Sequence, residues 1–258
     1  MGRNKKSREK RREEKHQQRQ HMLQQLQDVL GLTHPEFQSF DSLPQINRPK
    51  EECPVLVSID FELWEVNGST ITEIGLAVLD PLLLRGLAPG DRGANWWSLV
   101  YAKHIWIKEC QHMVNREYVS GCPESFNFGK TDIIPQRIKL ELTKSFLEEI
   151  LVPRRPLYVV GHDVGQDIQS FDNMGLMLES LTSELTLIDS REIYTLLANT
   201  LQGPSLGSAL TGLNMDSRNL HNAGNDAVYT LRACLALALI LKESDPQAYK
   251  TRELLDWK

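Results

Sequence analysis

The sequence predicts an α/β protein, a mixed sheet with helices on its faces. A β-branched run, Val55-Leu56-Val57-Ser58-Ile59, ends at Asp60 and suits a buried strand. Two further strand-like stretches follow with no helical period between them, and beyond residue 138 helical stripes alternate with short strands. An opening meander followed by strand–helix alternation, wound with right-handed crossovers, leaves few topologies.

The first 20 residues hold nine Lys/Arg against three Glu, a local +6, while the whole chain of 258 residues carries −5, leaving −11 for the rest. A cationic arm on an anionic body attracts polyanions or an import receptor. Arg3, Lys5, Lys6, Arg8, Lys10, Arg11, Arg12 and Lys15 are its candidate nucleic-acid contacts. Met22, Leu23, Leu26, Val29 and Leu30 fall at helical spacing before Gly31, so the arm is expected to end in a helix that docks on the body or a partner. Residues 33 to 54, punctuated by four prolines, read as a linker. Composition therefore divides the chain into a basic, partly helical or disordered arm and linker, 1–50, and a folded domain, 51–258.

Within the domain, Ile71 to Leu79 is a second strand, joined to the first through Asn67-Gly68, a favoured hairpin pair. Trp97 to Ile107 alternates as a third. Ile138, Leu142, Phe146, Leu147 and Ile150 make a helical stripe, Pro156 to Gly161 a fourth strand, and Asp167 to Leu181 a helix. Leu185 to Ile188 is the fifth strand, followed by helices at Arg191 to Leu201, Leu206 to Leu213 and Ala223 to Leu241. The most apolar run, Ala227 to Leu241, is broken by Tyr229, Thr230 and Arg232, so a membrane role is excluded. Four scattered cysteines with no CxxC pair and no secretory signal argue against a disulfide scaffold or a thiolate zinc site and for a reducing compartment.

Asp60 and Glu62 end the first strand and project from one face of it, where a hard cation such as Mg²⁺ or Mn²⁺ finds two carboxylates. With 14 Asp and 20 Glu in the chain, about one D-x-E arises by chance, so the pair alone carries little weight. Gly161 to Asp167 follows the fourth strand and opens a helix, and strand ends of this kind gather ligands. There Asp167 is the metal-facing candidate, Asp163 a cap or bystander, and His162 a strand-end residue bonded to backbone. The third cluster, His221-Asn222-Ala223-Gly224-Asn225-Asp226-Ala227, places a histidine before the last helix and an aspartate in its first turns. A histidine beside a metal site can take a proton from water near neutral pH. Weight comes from order: D-x-E ending the first strand, Asp after the fourth, H-x4-D opening the last helix.

That ordered set, Asp60, Glu62, Asp167, His221 and Asp226, resembles the DEDDh branch of the DnaQ-like 3′–5′ exonucleases over residues 54 to 242. Ile71-Thr72-Glu73-Ile74-Gly75-Leu76-Ala77 looks like that family's E-I-G-x-A strand, and residues 221–227 fit its H-x-A-x-x-D-A motif. The middle segment is similar to small fungal DEDDh-domain proteins, some linked to messenger RNA export. It carries His104 to Glu109, Val114-Asn115-Arg116, Gly121-Cys122-Pro123 and Phe126 to Lys130. The resemblance implies a ribonuclease H-like fold with a five-stranded mixed sheet. It also implies two divalent cations, Mg²⁺ or Mn²⁺, about 3.5–4 Å apart. Asp60 would bridge both, Glu62 and Asp226 complete the first, Asp167 hold the second, and His221 act as general base.

Where many members carry a small polar residue after D-x-E, this chain has Leu63-Trp64; Trp64 is read as core packing or as a base-stacking ring. The expected substrate is the 3′ end of single-stranded RNA or DNA, RNA preferred on the fungal likeness, with a protein partner for the arm as a further expectation. The expected compartment is nuclear or cytoplasmic; Glu9, Glu13 and Glu14 argue against a mitochondrial presequence. The competing readings are a weakly active or inactive nucleic-acid-binding scaffold working through its arm, and a ribonuclease H-type endonuclease.

Overall fold

The computed structural model describes residues 2–41, 43, 44, 48–152 and 154–244, without the side chains of residues 2–6. Those of the arm candidates Arg3, Lys5 and Lys6 therefore lie outside the description. The first element is a 28-residue helix, α1 (Gly2–Val29). β1 (Val55–Leu63), β2 (Ile71–Leu79) and β3 (Tyr101–Ile107) form the antiparallel meander. β4 (Thr131–Ile134), α2 (Lys139–Ile150), β5 (Leu157–Gly161), α3 (Val164–Met174) and β6 (Leu185–Asp189) follow, then α4 (Ser190–Ala198), α5 (Leu206–Gly212) and α6 (Ala223–Glu243). The sheet order is β4-β3-β2-β1-β5-β6, with β5 parallel to β1 and β6 parallel to β5.

The fold is thus the ribonuclease H-like one, with six strands instead of five. The added strand, β4, pairs parallel with β3 at the sheet edge. Its four residues are too few to show a period, and they are held by a Lys103–Asp132 ion pair at 2.6 Å and by Thr131 Oγ1 against His104 Nδ1 at 2.9 Å. Three expected boundaries also move. The third strand starts at Tyr101, because Arg92 and Gly93 adopt positive φ and residues 91–99 coil as 3₁₀ turns. The helix expected to begin at Asp167 begins at Val164 and stops at Met174, where Gly175 (φ 88°) ends it in the left-handed conformation. α4 ends at Ala198, before left-handed Asn199.

Alternation along β1 sorts the core. Val55, Val57 and Ile59 face the layer of α2 and α3, while Leu56 faces α4, α5 and α6. Ser58, Asp60 and Glu62 share the Leu56 face by the same period. α6 is long and apolar enough to cross a membrane by composition, but 83% of its most apolar stretch is buried inside the protein, so it reads as the central helix of the core. The C-terminal half of α1 joins that core through Leu26, and Leu30 joins it just past the helix end, with Met22 and Leu23 packed beside them. At the far end of β1, Arg155 is 2% exposed and donates to both Asp80 oxygens (2.6 and 2.8 Å) and to the carbonyls of Cys53 and Pro54.

Candidate active site

β1 runs out from the core with its last residues only half covered, and Asp60 and Glu62 sit there on the α6 face. Across the ladder, Asp60 pairs with Gly75 and Glu62 with Glu73. Gly75 lets α6 come down onto the sheet at that level, since a Cβ on it would lie 1.8 Å from the Ala223 carbonyl oxygen. The N-terminus of α6, capped by the Asn222 side chain on Asn225 N–H, is thereby set beside Asp60, with Asp226 in its first turn. From the opposite layer, α3 delivers Asp167, whose carboxylate accepts the Phe61 backbone N–H at 3.2 Å. Two helices on opposite faces of the sheet therefore bring their carboxylates to the end of one strand.

His221 precedes α6, exposed and in the left-handed region at φ 64°, with its backbone N–H donating to Asp226 Oδ2 at 3.0 Å. Ligand atoms of Glu62, His221 and Asp226 all lie within 4.8 Å of one another. Asp226 Oδ1 is buried with no hydrogen-bond partner, which is what a cation ligand looks like without its cation. The oxygen-rich donor set suits a hard divalent ion.

The electrostatics are strained. Burial, then the charges of Asp226, Asp167, Glu62 and Glu73, holds the Asp60 carboxyl well above the usual carboxylate range. Burial and the neighbouring Glu73, Asp226 and Asp167 push Glu62 up to about 8, against a smaller opposing hydrogen bond from Asn115. Asp167 and Asp226 are each pushed to about 7, chiefly by burial, with the Phe61 and His221 N–H groups pulling the other way. Four carboxylates that resist ionising together are relieved by a multivalent cation.

The structure places the five residues named from the sequence around this strand end; among the described arm candidates none joins them, and Trp64 stands half-buried where β1 ends, its carbonyl accepting the Asn67 and Gly68 N–H groups. Asp163 occupies the N-cap position of α3 at φ 78° without capping it, and instead pairs with Arg191 at 2.7 Å. Asp189 takes over, accepting from the N–H groups of Asp163 and Val164 and from Arg191 and Glu192 at the start of α4. His162 is a strand-end residue, bonded to Ser190 Oγ and the Pro204 carbonyl, and burial lowers its pKa.

Sequence reasoning missed Glu73 as part of this site. It is 4% exposed and accepts from His104 Nε2 at 2.9 Å and from the Ala223 N–H at 3.3 Å. Its signal was a lone carboxylate in a strand whose nine residues are all buried. The segment around residues 111–130 is tied down by asparagines. Asn222 donates to the carbonyls of Cys122 and Pro123, Asn225 to that of Ser125, and Asn115 to that of Leu63. The Cys122 N–H donates to the His221 carbonyl, so this segment fixes the loop that carries the histidine.

Residues 55–237 match the family model DEDDh_C, the DNA polymerase III subunit epsilon-like C-terminal domain. The chain belongs to the DEDDh family. Proteins of this family are exonuclease-like and generally use divalent metal ions, in keeping with the carboxylate cluster. Among its relatives is the uncharacterized protein YDR514C of Saccharomyces cerevisiae, 26% identical over 71% of this chain and 41% of that protein. The uncharacterized nucleolar protein C2C4.08 of Schizosaccharomyces pombe is 29% identical over 70% of this chain and 67% of its own. A third, "Good for full DBP5 activity protein 2" of S. cerevisiae, is 25% identical over 67% and 33%. The chain therefore spans less than half the length of both budding-yeast relatives.

Proposed function

We propose that this DEDDh protein is a two-metal-ion 3′–5′ exonuclease acting on single-stranded nucleic acid ends, RNA in preference to DNA. The observation that carries the reading is the convergence of Asp60, Glu62, Asp167 and Asp226, with one buried oxygen of Asp226 left unpartnered. In this reading those four carboxylates hold two divalent cations, Mg²⁺ or Mn²⁺. When bound, the cations supply Lewis acidity toward a phosphodiester and toward water near neutral pH.

His221 is the general base. Its exposed ring accepts the proton of the attacking water, and its left-handed backbone and N–H contact to Asp226 fix the loop beside the carboxylates. The Phe61 N–H keeps Asp167 aimed at the end of β1. The N-terminus of α6 adds a positive end of a helix dipole, which favours an ionised Asp226 and an approaching phosphate. Trp64, half-buried at the rim, offers a ring for stacking on a base.

RNA preference and a nuclear site of action rest on likeness to the fungal relatives, one of them nucleolar by name. A second reading, a scaffold of the same fold working through its arm and a protein partner, draws on the exposure of residues 7–18. The strained carboxylates favour the enzyme, because a scaffold gains nothing from keeping them.

The test is incubation with 5′-labelled single-stranded RNA and DNA in Mg²⁺ or Mn²⁺, beside Asp60→Ala and His221→Ala. The reading predicts a ladder shortening from the 3′ end, faster on RNA and lost in both variants. A protein that binds the strands but never shortens them supports the scaffold, and cleavage of a circular strand supports an endonuclease.

A further inference from the structure

α1 is 28 residues long, and among the described residues its second half is the part that packs on the body. It runs beside β6 in the opposite direction. Asp28 and Leu30 line a cavity with Pro156 and Glu184, near the starts of β5 and β6, whereas Met22 Sδ accepts the N–H of Asp189, the last residue of β6. Arg19, 7% exposed, closes the contact by pairing with Glu192 at 2.5 Å and donating to the Leu201 carbonyl. Residues 7–18 are then exposed without exception. This half of α1 therefore overhangs the sheet at the carboxyl ends of β5 and β6, the edge where Asp60, Asp167 and Asp226 gather. β6 lies two strands from β1, about 10 Å away.

The faces of α1 matter as much as its direction. Stepping by three and four residues from Leu30 through Leu26, Met22 and Arg19 reaches Lys15, Arg12 and Arg8, with Arg11 one turn from Lys15. One seam of the helix is thus apolar where the body lies beneath it and cationic where the body ends. Glu9, Glu13 and Glu14 fall outside that seam, and Glu14 pairs with Lys10 at 3.8 Å. Among the described residues Arg8, Arg11, Arg12 and Lys15 have no carboxylate partner. An exposed cationic seam whose charges have no partner on the body suits a polyanionic ligand.

We infer that the overhanging seam of α1, through Arg8, Arg11, Arg12 and Lys15, binds the phosphate backbone of the strand whose 3′ end occupies the carboxylate cluster. This deepens the nuclease reading and rests on it for the placement of the 3′ end. The four residues reach from about 6 to about 17 Å beyond Arg19 at the rise of an α-helix, a span of a few phosphates. Residues 21–258 carry −11 and repel a polyanion, so a strand longer than the cleft needs a cationic surface on this edge. A protein ligand for the seam would need acidic groups but would have no reason to lie on the edge that carries the site.

The test uses the full chain with Asp60→Asn, so that cleavage does not consume the probe, and follows anisotropy of fluorescein-labelled single strands of 5 and 20 nucleotides. Arg12→Gln with Lys15→Gln removes two seam charges. Lys6→Gln with Lys10→Gln removes two charges at positions that fall off the seam by helical spacing. The seam pair is expected to weaken the 20-mer about tenfold at 0.1 M salt and to flatten its salt slope by about 1.4, near 0.7 per lost phosphate contact. The 5-mer, held by the cleft, should change less than twofold, as should the 20-mer with the off-seam pair. Equal losses from both pairs would overturn the inference by reducing it to net charge, and no loss from either would assign the seam to a protein partner. Failure of wild-type protein to shorten any strand would overturn the nuclease reading alone, since these affinities do not depend on cleavage.

Discussion

The carbonyl oxygen of Ala223 occupies the space where a side chain on Gly75 would begin, 1.8 Å from the Cβ position. Because Gly75 is the cross-strand partner of Asp60, this contact brings the start of α6, and so Asp226, down to the level of Asp60 on β1. Gly75→Ala should push the helix off the sheet at a cost of about 3 kcal/mol and separate Asp226 from Asp60. Thermal unfolding with and without Mn²⁺ checks it: a lower Tm and a smaller Mn²⁺-induced rise are expected, and an unchanged rise would show that the cluster does not depend on this approach.

Without metal, the cluster should make stability fall as pH rises. Asp60, Glu62, Asp167 and Asp226 are all held above their ordinary values, so the folded protein binds more protons than the unfolded chain between about pH 4 and the raised values of about 7 to 8. The expected Tm in EDTA drops progressively across that window, and millimolar Mg²⁺ flattens the drop. A Tm that rises over the window would contradict the raised carboxylates.

Glu73→Gln tests the buried charge behind the site. Removing it takes away a neighbour that raises both Asp60 and Glu62, so the upper end of the metal-free window should move to lower pH. The amide keeps the side-chain volume but weakens the bonds to His104 and Ala223, at about 1–2 kcal/mol. The pH dependence of Tm reads both effects, and a window that stays in place would show that Glu73 is screened from the cluster.

His221 has two possible duties, since its ring lies within reach of the same atoms as Glu62 and Asp226. As the base, His221→Ala should lower kcat by about 10²- to 10⁴-fold and leave Mn²⁺-induced stabilisation unchanged. Loss of the stabilisation as well would make it a ligand.

At the other end of β1, Arg155→Leu should cost about 3 kcal/mol, because it strips Asp80 and two backbone carbonyls of their donor. Metal binding in the surviving folded protein should be unaffected, and chemical denaturation beside a Mn²⁺ titration measures both.

The sheet was legible where period and burial agree. β1 and β2 announce themselves by β-branched runs, and α6 by its apolar length. β4 was invisible because four residues show no period and their pairing with β3 is set by contacts from Lys103 and His104. The third strand reads too long, because the end of a 3₁₀ stretch, Trp97-Ser98-Leu99, alternates half-buried and exposed as a strand would. In the site, the five residues stood out by their order along the chain. Glu73 did not, since a buried carboxylate gains meaning only once its partners His104 and Ala223 are in place. The double capping by Asp189 depends likewise on two helix starts that meet only in the fold.

In the proposed function, Asp60, Glu62, Asp167 and Asp226 form one site for two divalent cations. Calorimetric titration of the metal-free protein with Mn²⁺, beside Asp60→Asn and Asp226→Asn, tests it most directly. Two ions per chain are expected in the wild type, with stoichiometry or affinity lost in each variant and protons released as the raised carboxyls ionise. Binding of no ion at millimolar Mn²⁺, or binding that both variants leave intact, would contradict it.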